Sequence, residues 1–89
     1  MEITEVKIRK IFEESTLRAI VSVTFDDCFT VHDIKIVFAN SAYILVMPNK
    51  KLSSGRMSDI AHPINSEFRG RLEKAVLDEY EKHIRNNDF

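Results

Sequence analysis

The sequence has few of the residues on which several common classes of protein depend. Its one cysteine, Cys28, cannot form a disulfide within the chain, which fits a reducing compartment. With two glycines in the chain, neither the phosphate-binding loop pattern nor the dinucleotide-binding pattern is present. No apolar run approaches the roughly 20 residues that span a bilayer, and the first residues do not resemble a signal peptide. We therefore expect a cytoplasmic protein that does not enter a membrane.

The length of 89 residues suits a single domain, residues 1–89. The pattern predicts an α+β fold in which residues 1–48 are mainly strands, 49–64 form a basic loop and 65–85 form a C-terminal helix. A domain this small buries a modest fraction of its surface, so it has a reason to associate with another copy.

Alternating apolar and polar residues in the first half predict a small antiparallel sheet of four to five strands. The clearest strand is 17–25, and a similar pattern covers 3–11. The alternation beginning at Phe29 changes phase at His32-Asp33, which predicts a β-bulge there. The unbroken apolar run 43–47 predicts a central strand covered on both faces, which ends at Pro48.

The predicted helix has an unusually wide apolar surface. Asn65 or Ser66 can cap its start. One apolar stripe suits packing on the sheet, and a second contains Leu77, Tyr80 and Ile84. We expect the second stripe to form a homodimer interface; the alternatives are ordinary exposed residues, or a docking face for a different partner protein.

Residues that often serve catalysis are present without a recognised spacing. His32-Asp33 and Asp59-x-x-His62 could converge, but neither matches a strong metal signature. The serines between Pro48 and Pro63 lack a nucleophile elbow, and Cys28 follows two acidic residues rather than the basic groups that activate a thiol. We therefore expect structural roles for the His-Asp pairs, no enzymatic activity, no metal or cofactor and no small-molecule substrate.

Charge is unevenly distributed in a chain whose net charge is −1. Residues 49–71 carry net +3, whereas the segments on either side are each −2. The cations of this segment are Lys50, Lys51, Arg56, Arg69 and Arg71. If the loop folds back towards the helix start, these side chains and the helix N-terminus would suit a phosphate backbone. A solvated charge run is an equally good explanation of the charge alone.

Five motifs in order resemble the bacterial stage V sporulation protein G family. They read LRAIVSVTFDD (17–27), FTVHDIKIV (29–37), VMPNKK (46–51), DIAHPIN (59–65) and RGRLEKAVLDEY (69–80). The resemblance covers roughly residues 1–83. It implies a small antiparallel sheet followed by C-terminal helix, in a dimeric regulator that contacts DNA and in some cases RNA. Members influence sporulation, septation and gene expression, and are not known as enzymes.

The resemblance also implies roles for particular residues. The family's basic segment after Met-Pro is implicated in nucleic-acid contact and corresponds to Lys50 and Lys51; Arg56, Arg69 and Arg71 rest mainly on the charge argument. Lys51 stands where arginine is typical, and Ser58 where many members carry a basic residue. Lysine cannot form the bidentate fork that arginine makes with guanine, so these departures leave the preferred nucleic-acid sequence open.

Overall fold

The structure, a computed structural model, describes residues 1–86, with the side chain of Asn86 excepted. It has the expected α+β fold, in which strands precede a C-terminal helix. The elements are β1 (Ile3–Ile11), β2 (Leu17–Phe25), β3 (Phe29–Ala39), β4 (Ala42–Val46), β5 (Asn49–Lys51), β6 (Met57–Asp59) and α1 (Ser66–Asn86). No helix in residues 1–86 is long and apolar enough to span a bilayer.

The first four strands form one antiparallel sheet in the order β1-β2-β3-β4. A two-residue turn joins β3 to β4, and both of its residues, Asn40 and Ser41, have positive φ angles of 51° and 64°. Two positive φ angles match the right-handed twist of adjacent strands, which explains why such a short connection can close the hairpin.

The bulge predicted at His32-Asp33 is confirmed. The β2–β3 register passes from Val21 opposite Ile34 to Val23 opposite Val31, so β3 has one more residue than β2 across this interval. Asp33 has a φ of 64°, in the left-handed region that asparagine and aspartate tolerate better than most residues. The extra residue absorbs the phase change and keeps the apolar side chains on one face.

The core lies between one face of the four-stranded sheet and α1. The helix packs mainly on β1 and β2, and the rings of Phe25 and Phe68 lie 5.9 Å apart between sheet and helix. The buried apolar residues are Ala19, Val21, Val23, Phe25, Ile34, Ile36, Leu45, Met47, Leu72, Val76 and Tyr80. Burial of this one face is what holds the sheet and the helix together.

The helix begins close to where the sequence predicted. The Asn65 side-chain oxygen accepts a 2.7 Å hydrogen bond from the backbone N–H of Phe68, the geometry of an N-cap. Glu67 lies in the first turn, and His83 and Arg85 lie in the last, each favourable to the helix dipole.

The prediction that residues 43–47 form a central strand is wrong. β4 lies at the margin of the sheet, where Tyr43 and Ile44 are each 45% exposed. Short turns join β2, β3 and β4 in succession, which makes β4 the outermost strand, and the next segment pairs elsewhere. An apolar run cannot by itself distinguish an interior strand from an edge.

The segment predicted as a loop contains a second, two-stranded sheet. β5 and β6 pair antiparallel, with Asn49 opposite Asp59, Lys50 opposite Ser58 and Lys51 opposite Met57. β4 ends at Val46, two residues before Pro48, and the chain resumes an extended conformation directly after this proline. We refer to residues 48–60 as the basic hairpin.

Candidate functional site

The basic hairpin is closed by backbone hydrogen bonds at both ends. The N–H of Ile60 donates to the carbonyl of Pro48 at 2.7 Å, and the N–H of Leu52 donates to that of Arg56 at 2.7 Å. At the tip, Gly55 has a φ of 92°, a conformation that side chains with a Cβ rarely adopt. These bonds give the hairpin a defined shape although it packs little on the rest of the protein.

The two lysines leave the hairpin on opposite sides. Successive side chains of a strand alternate, so Lys50 and Lys51, both exposed, point to different faces of β5. Lys50 lies directly opposite Ser58, which is uncharged. A cation there would repel Lys50, and Ser58 removes that repulsion at the cost of one positive charge.

The hairpin cations differ from the helix cations in their pairing. The three ion pairs within residues 1–85 all join side chains four residues apart on α1. None of these pairs includes Lys50, Lys51 or Arg56, and all three residues are exposed. Their charges are therefore available to a bound anion.

The two helix-start arginines are partly occupied. Arg69 Nη1 lies 3.6 Å from Glu73 Oε2. Arg71 donates a 3.3 Å hydrogen bond from Nη2 to the carbonyl of Met1, and its guanidinium carbon lies 5.4 Å from the centre of the Phe68 ring. An anion would have to compete with these contacts, so we expect each arginine to contribute less than a hairpin lysine.

A cleft brings the hairpin base and the helix start to one end of the molecule. It has a volume of about 420 Å³ and a mainly apolar lining. Met47 and Ala61, which flank the basic hairpin, line it together with Phe68 and Arg71 of α1. The residues that flank the hairpin therefore lie near the first turns of the helix, whereas Lys50, Lys51 and Arg56 do not line this cleft.

The predicted dimer residues are placed unequally. Tyr80 is 5% exposed, and its ring lies 5.7 Å from that of Tyr43. Leu77 is half-buried against the core, whereas Ile84 is 42% exposed. The helix thus uses most of its second apolar stripe within its own chain.

The His-Asp pairs show structural contacts. His32 Nδ1 lies 2.8 Å from the hydroxyl of Ser22, and His62 Nδ1 lies 3.0 Å from the carbonyl of Pro63. Within the part of the chain that the structure describes, no three histidine, cysteine or carboxylate side chains group as a metal site would require. Ser22 was not predicted as a partner of His32, although a serine within an apolar strand indicates a hydroxyl that needs a hydrogen-bond partner.

A second set of cations, not predicted from the sequence, lies on the sheet. Lys10 lies opposite Ile20, which lies opposite Lys35, so both lysines occupy the sheet face turned away from α1. Lys7, opposite Ser22, lies on the same face. Successive side chains of a strand point to opposite faces of the sheet. The alternation of these lysines with core residues therefore predicts that they lie on the face turned away from the core.

Comparison with known proteins gives a consistent result. The sequence profile of the SpoVG family matches residues 1–82. A protein of Caldanaerobacter subterraneus subsp. tengcongensis, named "Putative septation protein SpoVG", is 49% identical over 98% of this chain and 96% of its own length. Proteins of the same name from Caldicellulosiruptor saccharolyticus and Clostridium perfringens are 52% and 51% identical, over 94% and 99% of this chain and 96% and 97% of theirs.

Proposed function

The chain belongs to the SpoVG family, and on that basis we propose that it is a dimeric regulator that binds nucleic acid. The ligand is DNA, and RNA is a further ligand of the same surface. The regulator acts on septation, sporulation and gene expression, without enzymatic activity. The observation that carries the proposal is the basic hairpin, with three exposed cations outside every ion pair of residues 1–85.

The shape of the hairpin supports contact with phosphates. A two-stranded ribbon is narrow enough to approach a duplex groove, and lysines on its two faces can reach phosphates on either side. Arg56 adds a third charge beyond the end of the ladder. Arg69 and Arg71 add phosphate contacts at the start of α1, where backbone N–H groups also favour anions.

Two copies would double the number of phosphate contacts. Each contact releases condensed counterions, so the logarithm of the affinity falls with the logarithm of salt concentration, by a slope of about −0.9 per phosphate neutralised on B-DNA. A dimer that uses three hairpin cations per copy would therefore depend steeply on salt.

The competing proposal is a protein-interaction module that docks a partner on Leu77, Tyr80 and Ile84. It has weaker support, because Tyr80 is buried within its own chain and Leu77 is half-buried. Ile84 alone offers a partner little area.

The test compares Lys50→Ala/Lys51→Ala with wild type in duplex binding at two salt concentrations. We expect weaker binding and a salt slope smaller in magnitude by about two per copy, since two phosphate contacts are lost. The matched control is Lys74→Ala/Lys82→Ala, which removes two exposed helix lysines and the same net charge.

Equal affinity in wild type and the hairpin variant would refute the assignment. Equal losses in the hairpin variant and the helix control would show that net charge, rather than the hairpin, determines binding. Circular dichroism of each variant establishes that the fold is retained.

A further inference from the structure

A second cleft lies near the C-terminal end of α1. It has a volume of about 330 Å³, at the lower end of the range for small-molecule sites. Its apolar wall is formed by Ile11 and Phe12 at the end of β1, by Tyr43 of β4, and by Tyr80 and Ile84 of α1. It shares no lining residue with the cleft beside the basic hairpin, so the two clefts are separate.

A bulge in β2 turns one cation towards this second cleft. The β2–β3 register passes from Leu17 opposite Val37 to Ala19 opposite Ile36, so Arg18 is an extra residue in β2. In a regular strand, the neighbour of the fully buried Ala19 would point away from α1. Arg18 instead lines the cleft together with side chains of α1, because a bulge re-aims the residue that it contains.

The guanidinium of Arg18 has more donors than acceptors around it. Its Nη1 donates a 3.2 Å hydrogen bond to the backbone carbonyl of Glu13, and its Cζ lies 5.3 Å from the centre of the Phe38 ring. Its Nε is the one enclosed side-chain nitrogen or oxygen without a hydrogen-bond partner among the described residues. Arg18 belongs to none of the ion pairs found within residues 1–85. A half-buried cation placed in this way is stabilised by an anion that joins it.

Tyr80 adds a hydroxyl group to the same cleft. The residue is 5% exposed and lines the cleft. Its hydroxyl takes part in none of the side-chain hydrogen bonds found in the described part of the chain. The oxygen is not one of the enclosed atoms without a partner, so it opens onto the cleft. A free O–H beside a guanidinium favours a ligand that brings an acceptor group.

We propose that this cleft binds a small organic anion, a carboxylate carried on an apolar chain or ring, as a ligand rather than a substrate. The guanidinium of Arg18 turns to meet the carboxylate, so that Nε and one terminal nitrogen donate side by side. The Tyr80 hydroxyl donates to the same carboxylate. The apolar body of the ligand lies against Phe12 and Ile84, which exclude water from it.

The other charges at the cleft narrow the class of ligand. Glu13 is the one carboxylate among the described residues that line it, and it repels a second negative charge on the ligand. A monocarboxylate is therefore favoured over a dicarboxylate or a nucleotide. A cation is disfavoured by Arg18, although aromatic rings line the cleft. The inference is independent of the proposed function, because none of the five cations proposed to contact nucleic acid lines this cleft.

Tyrosine fluorescence provides the first experiment. The chain has no tryptophan and two tyrosines, Tyr43 and Tyr80, which both line the cleft, so tyrosine emission reports on this site. We expect hexanoate to change the emission saturably, with a dissociation constant on the order of 1 mM for so small a ligand. Hexanamide has the same chain without the charge and should bind about 10-fold more weakly or less tightly still. Absence of a saturable change with hexanoate, or equal affinity for the two compounds, overturns the proposal.

Three variants test the polar contacts. Arg18→Gln should weaken hexanoate binding about 10-fold or more and remove the preference over hexanamide. Tyr80→Phe keeps the ring and should weaken hexanoate binding about two- to tenfold, which tests the site even if Arg18→Gln does not fold. The matched control is Lys7→Gln, which makes the same change in net charge on the sheet face turned away from α1 and should bind as wild type does. Wild-type affinity for hexanoate in either folded cleft variant overturns the proposal, as does an equal loss in Lys7→Gln.

Amide chemical shifts locate hexanoate on the wild-type protein. The perturbations should centre on residues 11–13, on Arg18 and on residues 80–84, and should leave Phe68 and Leu72 of the other cleft unchanged. The largest perturbations beside Phe68 would place the ligand in the cleft near the basic hairpin and overturn the proposal.

Discussion

The Ser22 hydroxyl oxygen lies 2.8 Å from Nδ1 of His32 and joins β2 to the bulge in β3. Ser22 is 5% exposed and is the only buried polar residue in the part of the chain that is described. A buried hydroxyl without a partner is costly, so this contact explains how a serine is accommodated at a buried position.

We expect Ser22→Ala to lower the free energy of unfolding by about 1 kcal/mol, the usual net value of a hydrogen bond. His32 is exposed and can bond to water after the change, which keeps the cost moderate. Urea denaturation measures the effect. Thr16→Ala, at an exposed site, serves as the control and should change stability by less than about 0.5 kcal/mol. A Ser22→Ala protein as stable as wild type would contradict the role given to this bond.

Because Asp33 lies in the bulge of β3, we expect two substitutions at this position to have opposite effects on stability. Its φ of 64° is unfavourable for residues with a branched Cβ, so Asp33→Val should destabilise the fold by about 1–3 kcal/mol. Asp33→Gly should be neutral or stabilising by up to about 1 kcal/mol. The two midpoints of denaturation, compared with wild type, provide the measurement. Equal destabilisation by both variants would indicate that the aspartate side chain, not the backbone angle, is what matters.

Tyr80 predicts a loss of stability at alkaline pH. Burial raises the pKa of Tyr80 above its usual value near 10.0, the neighbouring Tyr43 raises it further, and Arg18 partly offsets both. The folded state therefore favours the neutral phenol. The contribution is complete below pH 10.0 and disappears as pH rises through the higher folded-state value.

Denaturant unfolding of wild type and Tyr80→Phe at several alkaline pH values isolates this contribution. The phenylalanine variant should lose less stability between neutral and alkaline pH, because it has no phenol to ionise. Other groups titrate in both proteins and cancel in the comparison. Parallel pH dependence in the two proteins would show that Tyr80 ionises equally readily when folded and unfolded.

We expect substitution of Glu73 to increase the affinity of the protein for nucleic acid. Its carboxylate lies 3.6 Å from Arg69, so Glu73→Gln removes a negative charge and releases a cation at the helix start. We expect tighter duplex binding and a salt slope larger in magnitude by up to about one per copy. Glu81→Gln, which releases Arg85 at the other end of α1, gives the same change in net charge and is the control. Equal gains in duplex affinity from both variants would show that Arg69 is not part of the nucleic-acid interface.

The local sequence pattern was sufficient to predict the bulge in β3 and the start of α1. The phase change at His32-Asp33 left one residue to be absorbed, and the described structure absorbs it there. Asn65 caps the helix because its short side chain reaches the N–H of Phe68, a relation within four residues. Features set by neighbours in sequence were therefore predictable.

Features that depend on residues far apart in the sequence were not predictable in this way. Tyr80 is buried because Tyr43, 37 positions earlier, comes to lie beside it. The apolar run 43–47 contains the same residue types whether it lies inside a sheet or at its edge. The short β5–β6 ladder lacks an apolar alternation, because it packs little on the core and has no buried face to maintain.

The basic hairpin contributes no residue to the hydrophobic core, and its own backbone hydrogen bonds close it at both ends. Substitutions at Lys51, Arg56 or Ser58 therefore alter the binding surface at little cost to folding. Under the proposed function, natural selection can then adjust which nucleic acids the protein prefers while the scaffold stays constant. Divergence among relatives should concentrate in this hairpin, and exchanging it between them should transfer binding preference with it.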